Sequence, residues 1–227
     1  MGSKRRIAKE IIPIITKGID INTPYYEPFV GGGNMIDKVP LNNKFGNDID
    51  EYVIAFFKAC ISGWLPPEFV SEEEFYRVKN NKENYAKEYV AHVLINCSFG
   101  CNKSCYARDN TLKQNYSAEG RRNIINQFPN IKNITFTNMN YYELDIPDNA
   151  VVYCDPPYAN TEKYHKGGFD NKAFWIWAEQ LSKRCKVFVS EYNAPKNWYC
   201  IWEKEVKTST NQFLKIKRLE KLFILKK

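Results

Sequence analysis

The sequence predicts a doubly wound α/β sheet, and three observations carry that prediction. Short apolar or β-branched runs recur along the chain, several of them end in carboxylates or glycines, and runs with helical apolar spacing lie between them. Tyr25 to Val30 opens the pattern as a strand, and three consecutive glycines stop it. The segment KFGNDID reads as a second short strand ending in Asp48 and Asp50. Glu51 to Ser62 has apolar residues at helical spacing, and Gly63 ends it. Between 63 and 130 the alternation is lost. Helical pieces are expected around Ser71–Lys79 and Asn84–Ile95, with Arg121 and Arg122 at the start of another. The polar, basic and aromatic run CSFGCNKSCYARDNTLKQNYS lies among them. This break reads as a module, residues 63–130, inserted into a domain formed by residues 1–62 and 131–227. The pattern then resumes with strands at Ile134–Thr137, Ala150–Cys154 and Lys186–Ser190 and a helix at Asn171–Arg184. Trp198–Val206 and Leu219–Leu225 are expected to close the chain as an antiparallel pair.

A chain of 227 residues, 44% hydrophobic and 26% charged, has the makings of one ordinary globular core. No stretch approaches the roughly 18 apolar residues of a membrane span, and MGSKRRIAKE lacks an apolar signal core. A cytosolic protein is expected. The net charge of +7 suits a polyanionic partner, and the excess is uneven: from Ile201 onward there are 8 basic and 3 acidic residues. Seven cysteines in a reducing compartment argue against a disulfide framework. Cys97, Cys101 and Cys105 form a CxxxCxxxC array with His92 nearby, but the spacing matches no strong metal motif, so no metal is expected.

Ligands of doubly wound sheets bind beyond the carboxyl ends of the strands, and the chemistry-bearing residues fall there. In EPFVGGGNM the glycines let backbone approach a ligand closely. The loop has neither GxGxxG spacing nor the Lys-Ser/Thr of a phosphate cradle. Asp48 ends the next strand, where a carboxylate can accept both hydroxyls of a ribose. Glycines under a ligand and an acid on its sugar describe a nucleoside site, and the missing phosphate cradle favours S-adenosylmethionine over a nucleotide.

The strand Ala150–Cys154 ends in Asp155-Pro156-Pro157-Tyr158. Two prolines fix φ and donate no hydrogen bond, so the loop is stiff and its carbonyls face outward. An exocyclic amine on a purine is a poor nucleophile because its lone pair is delocalised into the ring. A carboxylate at Asp155 and the Pro156 carbonyl can bind both of its N–H groups and turn that lone pair outward. The Tyr158 ring offers a stacking face, worth ~1–3 kcal/mol by analogy with base–aromatic stacking. Such a site works by orientation and electrostatics, and a base inside a duplex must be flipped out to reach it.

With these residues in place, the chain resembles the Dam-type, class D12, DNA N6-adenine methyltransferases, especially small phage-like members. The resemblance runs from MGSKRRIAKEI through EPFVGGGNMI, NDIDEYVI and VVYCDPPY to VFVSEYNAP and EKLF. It implies a class I S-adenosylmethionine-dependent methyltransferase fold with an inserted target-recognition module, acting on double-stranded DNA. It also implies catalytic roles for Asp155, Pro156, Pro157 and Tyr158. Cofactor contacts are implied at Lys4, Glu27, Phe29, Gly31, Gly33, Asp48, Asn140 and Asp155. Asn140 stands where the family often has an acid, and its side-chain oxygen can still accept from a cofactor amine.

In the insert, Lys103, Tyr106, Arg108, Lys113 and Tyr116 interleave charge and aromatic rings, as a groove-reading hairpin would. Arg108 is the candidate for guanine, whose O6 and N7 an arginine reads bidentately. TEKYHKGG is expected to close over the flipped base, and Ser190 and Tyr192 to line its pocket. Two other readings stay open on sequence. One is a cytosine N4 or RNA methyltransferase on the same fold; the other is a DNA-binding relative with little turnover.

Overall fold

The computed structural model describes residues 4–99, 103–108, 114–158, 169–208 and 216–226. Seven strands form one sheet: β1 (Tyr25–Glu27), β2 (Lys44–Asn47), β3 (Thr135–Thr137), β4 (Val151–Cys154), β5 (Lys186–Glu191), β6 (Trp198–Thr208) and β7 (Ile216–Leu225). Their order is β3-β2-β1-β4-β5-β7-β6. The first five pair in parallel, whereas β7 runs antiparallel to both β5 and β6. Strand order reverses at β1 and β4, which lie side by side with Tyr25 opposite Val151. The arrangement is the doubly wound sheet the sequence predicts. The closing antiparallel pair is present as expected.

Six α-helices accompany the sheet among the described residues: α1 (Ala8–Ile15), α2 (Glu51–Ile61), α3 (Glu72–Asn80), α4 (Lys87–Ala91), α5 (Tyr116–Ile131) and α6 (Asn171–Leu181). Asp50 caps α2, its side chain accepting from the Tyr52 N–H, and Ser71 caps α3 in the same way from Glu74. Asp170 caps α6. Three helical segments differ from the sequence reading. A first helix, α1, buries Ala8, Ile11, Ile12 and Ile15 on one stripe although Pro13 interrupts its run. The helix read from Arg121 begins five residues earlier, because the Asn115 side chain accepts from the Ala118 N–H and caps it there. The expected helix over 84–95 is broken into a 3-10 turn, α4 and a π-helical turn at His92–Asn96.

One face of the sheet packs α1, α2 and the end of α5 through Ile11, Phe57, Ile124, Ile131 and Tyr153; the other packs α6 through Phe174 and Ala178. Residues 70–97 have a small core of their own, built on Val70, Phe75, Val78, Val90 and Leu94, with the Tyr106 ring packed against it. At its heart His92 is fully buried, its Nε2 at 2.8 Å from the Ser117 hydroxyl and its Nδ1 at 3.1 Å from Asn96. Burial pulls its pKa down to about 4. No described helix is long and apolar enough to cross a membrane.

Candidate active site

The loops that follow β1 and β4 leave the sheet at its point of reversal, so the glycine loop and Asp155 emerge from neighbouring strands. Gly31 and Gly33 both take positive φ, at 49° and 65°. At Gly33 a Cβ would lie 3.0 Å from the Phe57 ring and 3.2 Å from Gln127, so the turn depends on glycine here. Gln127 of α5 donates to the Gly33 carbonyl at 2.9 Å, a brace that nothing in the sequence pattern announced.

Asp48 stands just past β2. Its carboxylate accepts the Gly31 N–H at 2.9 Å and the Asp50 N–H at 2.9 Å, joining the glycine loop to the start of α2. A carboxylate can accept about four hydrogen bonds, so these two contacts are compatible with ribose hydroxyls as further donors. Asn138 ties the carbonyls of Asp48 and Ile49 to the loop after β3. Ile49 and Met139 stay exposed beside that tie, at 52% and 41%, and offer apolar faces next to the sugar acceptor. This donor and acceptor set fits a nucleoside. Asn140 is half-buried at the same edge, with its N–H donating to Glu143 at 3.0 Å.

Two expected cofactor contacts are already occupied by protein. Glu27 is buried and accepts the Tyr25 hydroxyl at 2.7 Å, an i, i+2 pair on one face of β1. Burial, with Asp155 and Asp37 near, pushes its carboxyl well above the usual range and favours the protonated form. Phe29 is half-buried in a cluster of rings, 5.3 Å from Tyr141 and 5.7 Å from both Phe169 and Phe174.

At the end of β4, Asp155 retains 22% of its side-chain surface. Lys4, in a 3-10 turn ahead of α1, reaches into this end of the sheet and sits 3.2 Å from the Asp155 carboxylate. The Lys4 ammonium also contacts the Tyr158 hydroxyl and lies over its ring, 4.6 Å from the centroid. The lysine implied as a cofactor contact therefore adjoins the Asp155–Tyr158 tetrapeptide itself. Burial raises the Asp155 pKa, opposed by Lys4 and reinforced by a second acid, Glu220 of β7. Tyr192 meets Tyr158 edge-on at 4.5 Å and accepts from Arg218 at 3.1 Å, while Ser190 bonds the Tyr153 hydroxyl at 2.8 Å. Tyr192 thus borders the tetrapeptide, whereas Ser190 is buried within the sheet.

The insert residues fare differently. Lys103 pairs with Asp50, and Arg108 makes a bidentate pair with Glu72 on α3. Tyr106, expected on the DNA face, instead turns inward: its hydroxyl donates to the Val70 carbonyl at 2.7 Å and its ring meets Phe75. Tyr116 is half-buried at the first turn of α5. Arg121 donates to the Pro66 carbonyl at 2.6 Å. Lys113, Cys101 and the expected TEKYHKGG closure, residues 161–168, lie outside the described residues. Among the described residues no three His, Cys, Asp or Glu side chains converge as a metal site. Cys97 is buried, with its thiol pushed up to about 11, and His92 is committed to Ser117 and Asn96. Glu220 opens EKLF, a segment of the resemblance to which the sequence assigned no role; it lies between Leu219 and Lys221 in β7, and only the antiparallel pairing brings it here.

No curated protein matches the sequence significantly. Among solved structures, the magnesium protoporphyrin IX methyltransferase of Synechocystis PCC 6803 shares 8% identity, with 97% of this chain and 79% of that one covered and a TM-score of 0.41. TrmN from Thermus thermophilus shares 9% identity over 97% of this chain and 48% of its own, with a TM-score of 0.44. These distant likenesses carry nothing about the chemistry. The family model for D12 class N6 adenine-specific DNA methyltransferases matches residues 1–103 and 101–213, nearly the whole chain. The chain belongs to that D12 methyltransferase family and uses S-adenosylmethionine as methyl donor.

Proposed function

We propose that the protein methylates the N6 amine of adenine in double-stranded DNA, at a base rotated out of the helix. The observation that carries this reading is the Asp155-to-Tyr158 tetrapeptide at the end of β4, beside the glycine loop and its ribose acceptor. S-adenosylmethionine, when bound, supplies an activated methyl group. Asp48, Gly31 and Gly33 hold the nucleoside end, with Ile49 and Met139 available to its ring. The Asp155 carboxylate and the Pro156 carbonyl accept the two N–H groups of the target amine, so that its lone pair points toward the cofactor. Tyr158 supplies a stacking face for the base, steadied by Tyr192. As the nitrogen gains positive charge, the Asp155 carboxylate stabilises it. A conjugated amine becomes acidic once alkylated, so no strong base is required.

The insert delivers the duplex. Arg108 presents an exposed cationic group paired with Glu72 at the surface, whereas Lys103 pairs with Asp50, whose side chain keeps only 16% of its surface; the Arg108–Glu72 pair is the exposed one. Phosphates can displace such a pair, because surface ion pairs contribute little. Arg108, as a planar fork, is the group for a guanine edge. The test is to incubate the protein with labelled S-adenosylmethionine and either unmethylated duplex DNA or RNA, then digest to nucleosides. Label in N6-methyladenosine's deoxy form from the duplex supports the reading. Label in N4-methylcytosine, or in RNA alone, overturns it.

A further inference from the structure

Two acids face the Lys4 ammonium. Because β7 runs antiparallel to β5 and Lys221 pairs with Glu191 at the end of β5, residues ahead of Lys221 project past that end and onto the edge where Asp155 sits. Glu220 arrives there from the far end of the sequence. Its Oε2 accepts from Lys4 Nζ at 2.7 Å and from the Tyr158 hydroxyl at 2.9 Å. Lys4 stands farther from Asp155, at 3.2 Å. Both contacts are sheltered: the Lys4 and Glu220 side chains keep only 9% and 15% of their surface. Pairs that are shielded from water are screened little and hold their geometry.

This geometry divides one cation between two carboxylates in favour of the acid that does not meet substrate. Without the charge on Glu220, the ammonium would turn wholly to Asp155 and compete for the oxygens that must receive the target amine. The same oxygen fixes the Tyr158 hydroxyl, and with it the plane of the ring. Neither contact requires Glu220 to touch a reacting atom.

We propose that Glu220 is a positioning residue for methyl transfer: it takes the larger share of the Lys4 ammonium and anchors Tyr158, leaving the Asp155 carboxylate for the substrate amine. The proposal rests on the functional reading above. Glu220→Gln is the informative variant, since it keeps side-chain size and an acceptor oxygen for Tyr158 and removes only the charge.

The first readout needs neither cofactor nor DNA. It is the carboxyl ¹³C titration of Asp155 in the whole protein. Asp155 is faced by Lys4 from the N-terminal turn, Glu220 from β7, Tyr158 from its own loop, Tyr153 from β4 and Glu27 from β1. In Glu220→Gln its transition moves to lower pH, because a like charge is lost and the ammonium is gained. In a Lys4→Met background the same change moves it less. The second readout is single-turnover transfer at saturating cofactor, expected to fall about tenfold or more with cofactor affinity within about threefold. An unmoved titration, an equal move in both backgrounds or an unchanged rate in an active enzyme overturns the proposal. If the titration moves as described but the wild-type protein methylates no adenine, the functional reading falls while the division of the cation stands.

Discussion

The carboxyl edge of the sheet and the segment around the small core of residues 70–97 use charge in opposite ways. At the edge, Lys4, Asp155 and Glu220 are sheltered, mutually bonded and brought together from the two ends and the middle of the chain. In that segment, Arg108, Arg77 and Lys87 stand in solvent and pair with nearby acids on the surface. A sheltered charge is held in one geometry because leaving it unpaired is expensive. An exposed one exchanges partners freely and is weakened by salt. The first arrangement suits chemistry at one atom; the second suits reversible capture of a polyanion.

Changes at the edge are expected to have the largest effects. Asp155→Ala lowers transfer by about 10²–10³-fold, the scale of losing one preorganised polar group, while cofactor binding largely survives. Single-turnover kinetics beside calorimetry of cofactor binding checks both halves. Asp48→Ala acts on binding first. It removes the acceptor for the Gly31 and Asp50 N–H groups as well as the ribose, so cofactor affinity drops about 10–100-fold. An unchanged affinity would remove Asp48 from the nucleoside site.

The edge also carries a pH signature. The raised Asp155 pKa means that the carboxylate form, which the amine needs, is lost as pH falls through a value above the usual aspartate range. The acid limb of the transfer rate is expected there, and a limb in the ordinary aspartate range contradicts the assignment. Glu27 acts on stability. Its folded pKa lies well above 4.5, so stability is full below the unfolded value and declines as pH rises toward the folded one. Glu27→Gln, neutral at all pH, flattens that decline in thermal melts.

The segment around the small core gives the opposite sign and smaller effects. His92, with its folded pKa near 4, contributes stability that is present above 6.5 and lost as pH falls toward about 4. Amide exchange in residues 87–97 should quicken in that window before the sheet responds. The smallest effect is at Glu72. Glu72→Ala frees Arg108 and tightens binding to any duplex modestly, and the gain fades as salt rises.

This contrast also separates what the sequence disclosed from what it hid. Strand-end punctuation marked β1, β2 and β4, and the Asp155 tetrapeptide lies where the strand–turn pattern put it. Local signals of that kind survive in one dimension, because a strand, its turn and the acid that follows are neighbours in the chain. Glu220 opens the EKLF segment of the resemblance, but no local pattern gave it a role. It is 65 positions from Asp155, between Leu219 and Lys221, and its place depends on β7 running back along β5. Gln127 escaped for the same reason, reaching Gly33 from the far side of the insert. Tyr106 misled in the other direction: an aromatic among basic residues looks like a reader of bases, but the small core of residues 70–97 claimed it. The start of α5 was obscured because Asn115, a good cap, lies in a polar run that offers several competing caps.

The division of labour between the two regions is tested most directly by the single-turnover transfer rate at saturating cofactor and saturating duplex. Asp155→Ala and the double variant Lys103→Ala/Arg108→Ala are compared with the parent. The account predicts that Asp155→Ala stays slow however much DNA is added, whereas the double variant needs more DNA but reaches a rate within about threefold of the parent. A double variant that stays slow at saturation, or an Asp155→Ala protein restored by added DNA, would contradict it.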